Sequence, residues 1–261
     1  FTIERVNVVD TVAQLRSPDV VLITTKTYDL DGVADQLAEV IEPETIVIPV
    51  QNGIDNDLRL KARLPDARVH PGLAYIISTR TAPGLVEQTA GPRTIFFGDR
   101  RKVPNAQLQK LEELMRKAGI LATCSPDIEL ELWTKFLWIT TFGGTTAVCR
   151  SAIGPIVNDP EAFEWYVRCL DEGIAVAQAH GVPIDDEARA KIIEKSEHYR
   201  HTGTHAKSSL LVDLEHKRPT EIESLNGALR RLARKVNVPT PINESIYYAV
   251  KLAEHYYSSV D

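Results

Sequence analysis

Two runs of mostly β-branched residues constrain the fold most: Val20-Val21-Leu22-Ile23-Thr24-Thr25 and Thr45-Ile46-Val47-Ile48-Pro49-Val50. They are apolar almost without alternation, as strands covered on both faces must be. Between them Leu30, Val33, Ala34, Leu37, Val40 and Ile41 recur at helical period, and Ser17-Pro18-Asp19 and Glu42-Pro43-Glu44 supply turns. Such a strand–helix–strand unit forms a parallel pair through a right-handed crossover. Ligands bind at the carboxyl edge of parallel sheets, so Gln51-Asn52-Gly53 is either a plain turn or part of a site.

The pattern predicts a third strand over 69–78, then a pair of antiparallel edge strands at 85–88 and 94–97. Residues 104–118 read as an amphipathic helix with Gly119 as its C′ residue. After Asp127 the texture changes. Residues 128–149 are apolar on most sides, which predicts a buried central helix. Helices are expected at about 159–180, 185–201, 205–216, 220–236 and 241–258, the last with Thr240 as N-cap and Pro241 at N1. The expected organisation is an α/β part over 1–125 and an all-α part over 126–261.

Composition narrows the function. The chain has 261 residues, 43% hydrophobic and 25% charged, enough for a core without disulfides. Net charge is -6, and the one basic cluster, Arg230-Arg231 with Arg234-Lys235, reads as a solvated helix face, so no nucleic-acid partner is expected. No apolar run approaches the roughly 18 residues of a membrane span. Cys124, Cys149 and Cys169 are sparse and lack metal-ligand spacing; no metal is expected, and the cytoplasm is the expected compartment.

Two local patterns have competing readings. Lys135 sits among Trp133, Phe136, Leu137 and Trp138, either snorkelling from a helix edge or buried and paired with an anion. Thr220 with Glu223 resembles a helix capping box. Taken in order, Asp19 through Lys26, Gln51-Asn52-Gly53, Glu131 through Phe136, Ser208-Ser209-Leu210 with Asp213, Glu221 through Gly227, and Pro239 through Asn243 form a series. That series resembles the ketopantoate reductase family over essentially the whole chain.

The resemblance implies an incomplete Rossmann-type nucleotide-binding domain, followed by a helical domain of the 6-phosphogluconate dehydrogenase-like kind. The family's G-x-G-x-x-G loop is not in the sequence and is expected to precede it. The implied activity is NADPH-dependent reduction of 2-dehydropantoate (ketopantoate) or a related 2-keto acid. By resemblance Lys135 is the general acid, Ser209 binds the substrate carboxylate and Glu221 its distal hydroxyl. Asn52 lies where cofactor and substrate meet, and Lys26 lies near the nucleotide. These residues are expected around one cleft. A homodimer is among the arrangements the resemblance allows. Ile139 and Gly143 stand where family members commonly carry asparagines, which predicts a roomier, more apolar wall. Two alternatives remain at this stage: a reductase for a more apolar 2-keto acid, and a non-catalytic nucleotide sensor on the same scaffold.

Overall fold

Residues 3–259 are described in the computed structural model. They divide into two compact units, one holding the residues up to Gln51 and Asp55–Ile128, the other Asn52–Ile54 and everything from Glu129 on.

In the first unit, β1 (Val20–Ile23), β2 (Ile46–Pro49) and β3 (Arg68–Val69) form a parallel sheet in the order β1-β2-β3. Helix α1 (Leu30–Leu37) connects the first pair and α2 (Asn56–Arg63) the second. Every residue of β2 is buried. Because neighbours on a strand point to opposite faces, Val47 packs with Ile23, Leu30, Ala34, Leu37 and Leu60, whereas Ile46 and Ile48 pack with Phe97, Leu108, Leu111 and Met115. The unalternating apolar run thus reflects real two-sided cover. At β1, the end strand, the cover is thinner, and Leu22 is 37% exposed.

A second sheet follows, and here the strands differ from the sequence expectation. The run over 69–78 breaks at His70-Pro71: β3 ends at Val69, and β4 (Gly72–Ala82) begins another sheet. Residues 85–88 and 94–97 do not pair with each other. They belong to one strand, β5 (Leu85–Gly98), antiparallel to β4 and parallel to β6 (Leu121–Ser125). Gly91-Pro92 looks like a chain break, but the irregularity is absorbed by register shifts of β4 against β5, as a bulge does. Helix α3 (Ala106–Lys117) is capped by Asn105, whose side chain accepts from Gln107 N and Leu108 N. It ends in a Schellman turn, with Gly119 at φ 79 and Ile120 N donating to Met115 O at 2.9 Å.

The second unit is helical, and among its described residues no strand occurs. Its axis is α4 (Ile128–Cys149), whose Leu132, Trp133, Phe136, Leu137 and Phe142 are all buried. Two threonines inside α4 bond back to the helix: Thr145 Oγ1 donates to Thr141 O and Thr146 Oγ1 to Phe142 O, each at 2.7 Å. Around it lie α5 (Ile153–Asn158), α6 (Pro160–Ala179), α7 (Asp186–Glu197), α8 (Ser209–Glu215), α9 (Asn226–Lys235) and α10 (Pro241–Ser259). A Cβ at Gly173 of α6 would fall 2.6 Å from Leu137 Cδ2, so any larger residue there would have to displace the end of that side chain.

Two helices are shorter than periodicity predicts. The helix expected over 205–216 starts at Ser209, because Thr204 O and Ala206 O accept the amides of Gly154 and Ile153 and hold that stretch non-helical. The helix expected over 220–236 starts at Asn226. Thr220 is not its cap; its amide and hydroxyl both donate to Glu254 of α10. Glu223 does not reach back either, accepting instead from Tyr247, Lys251 and Arg231. The capping-box reading therefore fails, and Glu221 sits in a tight turn.

Candidate active site

Lys135 occupies the middle of α4 and is only 7% exposed, between Trp133 and Phe136 on the apolar side and one turn before Ile139. It is not a snorkelling residue. Burial pushes its ammonium down to about 8; Glu221 acts in the opposite sense, and Lys195 adds to the lowering. A lysine in this state is still largely protonated at neutral pH yet gives up its proton readily.

Glu221, 6% exposed, is the carboxylate acting on Lys135, although 86 positions separate the two in sequence. Its position is fixed from both sides. Thr220 is anchored to Glu254, while the Glu221 carbonyl accepts from Ser224 N at 3.0 Å and Leu225 N at 3.1 Å. Ile222 and Leu225 are buried beside it.

Ser209 is the first residue of α8 and is exposed. Its neighbour Ser208 sets its place: Ser208 Oγ caps α8 by accepting from Leu211 N at 3.1 Å, and it lies within hydrogen-bonding distance of Thr146 Oγ1, at 2.7 Å. Thr146 lies about three turns beyond Lys135 on the same helix. Gly143, between them, faces apolar neighbours. A Cβ there would meet Leu210 and Leu225 carbons at 3.8–3.9 Å, so its nearest neighbours are apolar and leave room for one more carbon.

Asn52 is half-buried and groups with the helical unit, whereas Gln51 and Lys26 belong to the sheet unit. Gln51 Nε2 donates to Thr25 O at 2.7 Å and so ties together the loops that leave β1 and β2. Gln51 Oε1 and Asp55 Oδ1 are buried without a hydrogen-bond partner among the described residues. The structure thus brings Lys135 and Glu221 together and hangs Ser209 from the same helix; Lys26 stands in the other unit.

Sequence patterns gave no sign of Lys195. On α7 it reads as one more surface lysine and is indeed exposed, yet its Nζ lies 3.7 Å from the centre of the Trp138 ring, and the partial cover there lowers the ammonium to about 8. Asn226, quoted above within a motif, is a bracing residue: fully buried, it donates through Nδ2 to Asn243 Oδ1 at 3.1 Å. Among the described residues no group of three or more His, Cys, Asp or Glu side chains is placed to hold a metal, and no helix is long and apolar enough to cross a membrane.

Comparison with known proteins agrees with this layout. Residues 1–102 match the profile described as ketopantoate reductase PanE/ApbA, and residues 127–254 match the profile of its C-terminal part. The chain is similar to a protein of Archaeoglobus fulgidus named 2-dehydropantoate 2-reductase, with 28% identity over 243 residues, covering 93% of this chain and 79% of that protein. It is also similar to the uncharacterized oxidoreductase YkpB of Bacillus subtilis, 27% identical over 236 residues, covering 90% of this chain and 77% of the other. A crystal structure of 2-dehydropantoate 2-reductase from Methylococcus capsulatus superposes with a TM-score of 0.84 at 28% identity, covering 96% of this chain and 79% of that one. On these matches, and on a Rossmann-like sheet unit followed by a helical unit, the chain belongs to the ketopantoate reductase family of oxidoreductases.

Proposed function

We propose that this protein reduces 2-dehydropantoate, or a closely related 2-keto acid, with NADPH, and that Lys135 is the general acid. The observation that carries the reading is the buried Lys135 ammonium beside Glu221, lowered to about 8. Reduction of a ketone builds negative charge on its oxygen, and a proton donor must meet that charge as it forms. Lys135 has the charge to attract the oxygen and, through desolvation, a proton it can release near neutral pH. Glu221 keeps the lysine from losing that proton too early and offers an acceptor for the substrate's distal hydroxyl. Ser209, exposed at the start of α8, offers its hydroxyl to the carboxylate.

The nicotinamide cofactor, when bound, supplies the hydride. Lys26 and Asn52, which follow β1 and β2 at the carboxyl edge of the parallel sheet, are the residues we assign to it. The fit is supported by Gln51 Oε1 and Asp55 Oδ1, buried acceptors at that edge with no partner among the described residues, which donor groups of a nucleotide would satisfy.

A second reading, a reductase for a bulkier and more apolar 2-keto acid, is favoured by one feature: the wall at Gly143 is made of Leu210 and Leu225. The deciding experiment uses protein expressed from the complete open reading frame. A panel of 2-keto acids is offered with NADPH, then NADH, and loss of nicotinamide absorbance is followed. Preference for 2-dehydropantoate supports the first reading and preference for bulky apolar keto acids the second. No turnover with any of them would remove both and leave a nucleotide-binding protein without this activity.

A further inference from the structure

Lys135 shares its surroundings with a second ammonium. Trp138 lies three positions beyond Lys135 on α4, so the two side chains occupy one face a turn apart. The Nζ of Lys195, brought in by α7, rests 3.7 Å from the centre of the Trp138 ring. Trp138 stacks on Phe142 at 5.4 Å and 25°, and Phe142 on Tyr199 at 5.7 Å and 35°. The Trp138 ring, backed by buried Phe142 and by Tyr199 just beyond α7, therefore carries the Lys195 ammonium, held there by cation–π attraction.

The charges around it are specific. Glu221 and Lys195 both act on Lys135, one stabilising its charge and the other opposing it. On α7, Lys191 pairs with Glu187 at 2.6 Å and Glu197 with Arg200 at 3.3 Å, so those side chains are directed to each other. Two ammonium groups act on each other here, that of Lys135 buried and that of Lys195 on an exposed residue over the Trp138 ring, and an anion reaching both would offset their repulsion. The indole Nε1 of Trp138 is also buried with no acceptor among the described residues.

We infer that Lys195 is the residue that binds the substrate's carboxylate charge, with Lys135 on the neighbouring ketone and the Trp138–Phe142–Tyr199 surface beneath. The inference rests on the 2-keto-acid reading given above. In a 2-keto acid the carboxylate is bonded directly to the carbon being reduced, so the partner of the ketone and the partner of the carboxylate must be close neighbours. Lys135 and Lys195 meet that requirement through Trp138. Ser209 then supplies a neutral hydrogen bond to the same carboxylate and Lys195 its counter-charge. The arrangement accounts for recognition of an acid by a member that has Ile139 and Gly143 where family relatives carry amides.

The test compares wild type, Lys195→Met and Lys195→Arg, expressed from the complete open reading frame, using the best 2-keto acid of the panel and its uncharged 2-keto amide. For Lys195→Met the KM for the acid should rise at least about tenfold, a loss of about 1.4 kcal/mol of binding, while kcat changes little. The amide should be handled equally by all three proteins. Lys195→Arg should restore most of the KM. The alkaline fall of kcat/KM, set by Lys135, should move to higher pH in Lys195→Met, because a repelling charge has gone; a KM loss confined to the acid and absent for the amide is what a lysine that merely neighbours Lys135 would not give. An active wild type whose KM for the acid is unchanged in Lys195→Met would overturn this role alone, whether or not the pH profile moves. Inactivity of wild type with every keto acid would overturn the reductase reading and this role with it. A misfolded Lys195→Met, seen by circular dichroism, leaves the decision to Lys195→Arg and Lys195→Gln: equal KM values for these two would overturn the role.

Discussion

The Asn226 side chain lies directly against Gly144: a Cβ at 144 would fall 2.8 Å from its Nδ2 and 2.9 Å from its Oδ1. Gly143, one residue earlier, has its nearest neighbours at 3.8 Å. Adjacent glycines of one helix should therefore answer oppositely to the same substitution. Gly143→Ala is expected to stabilise the protein by about 1 kcal/mol through helix propensity. Gly144→Ala should destabilise it by about 1–2 kcal/mol, because overpacking against Asn226 and Ile246 outweighs that gain. Urea denaturation of the two variants checks the sign of each.

Lys135→Ala should lower kcat by more than about a hundredfold with the fold retained, the lower end of what a positioned acid contributes. In wild type, kcat/KM for reduction should fall as pH rises through about 8, where Lys135 loses its proton. Oxidation of the hydroxy acid should show the opposite slope, since it needs the neutral amine. The sign for stability follows from the same shift. Between about pH 8 and 10.5 the unfolded chain binds more protons at this site than the folded one, so the lysine's unfavourable contribution is full below 8 and relieved as pH rises. Near-normal turnover by Lys135→Ala would return this residue to a purely structural role.

Glu221→Ala separates two roles for the carboxylate. If it accepts the distal hydroxyl, its removal should cost hydroxylated keto acids about tenfold or more and plain keto acids less, since an unpaired polar group costs about 1–3 kcal/mol. The alkaline limb of kcat/KM should also shift to lower pH, because Glu221 raises Lys135. Equal losses for both substrate types, with no shift of the limb, would reduce Glu221 to a structural carboxylate.

Glu172 caps a helix to which it does not belong. From α6 it accepts Ile242 N at 2.9 Å and Asn243 N at 3.0 Å, and it also takes Asn243 Nδ2 at 2.8 Å. Glu172→Ala should therefore cost about 2 kcal/mol, as first-turn amides and a buried side-chain amide all lose their acceptor. Thermal melts read the loss; Lys135-dependent catalysis, measured on the folded fraction, should persist.

The elements most legible in the sequence were those whose pattern is local. β2 reads as a two-sided strand because each of its residues is covered, and the end of α3 is legible because Gly119 marks it. What could not be read depends on distant partners. Residues 220–225 carry a helical pattern but are turned by Glu254, 34 positions away from Thr220. The residues of β5 look like two strands because the accommodation of Gly91 lies in the shifted pairing with β4. Lys135 stood out because a cation among aromatic residues is anomalous in a local window. Lys195 did not, since the ring it rests on belongs to another helix.

The last helix bears none of the proposed catalytic or binding groups, yet its length is constrained like that of a ruler. Near its start Asn243 is fastened to Glu172, and near its far end Glu254 grips Thr220, the residue next to Glu221. Each residue added between them would turn Glu254 by about 100° and displace it by about 1.5 Å, away from Thr220. Substitutions at its exposed positions, Tyr248 and Leu252, leave that spacing alone, whereas a single inserted or deleted residue would not. Among homologues this segment should therefore vary in letters but not in count, a constraint that comes from the carboxylate it holds in place indirectly.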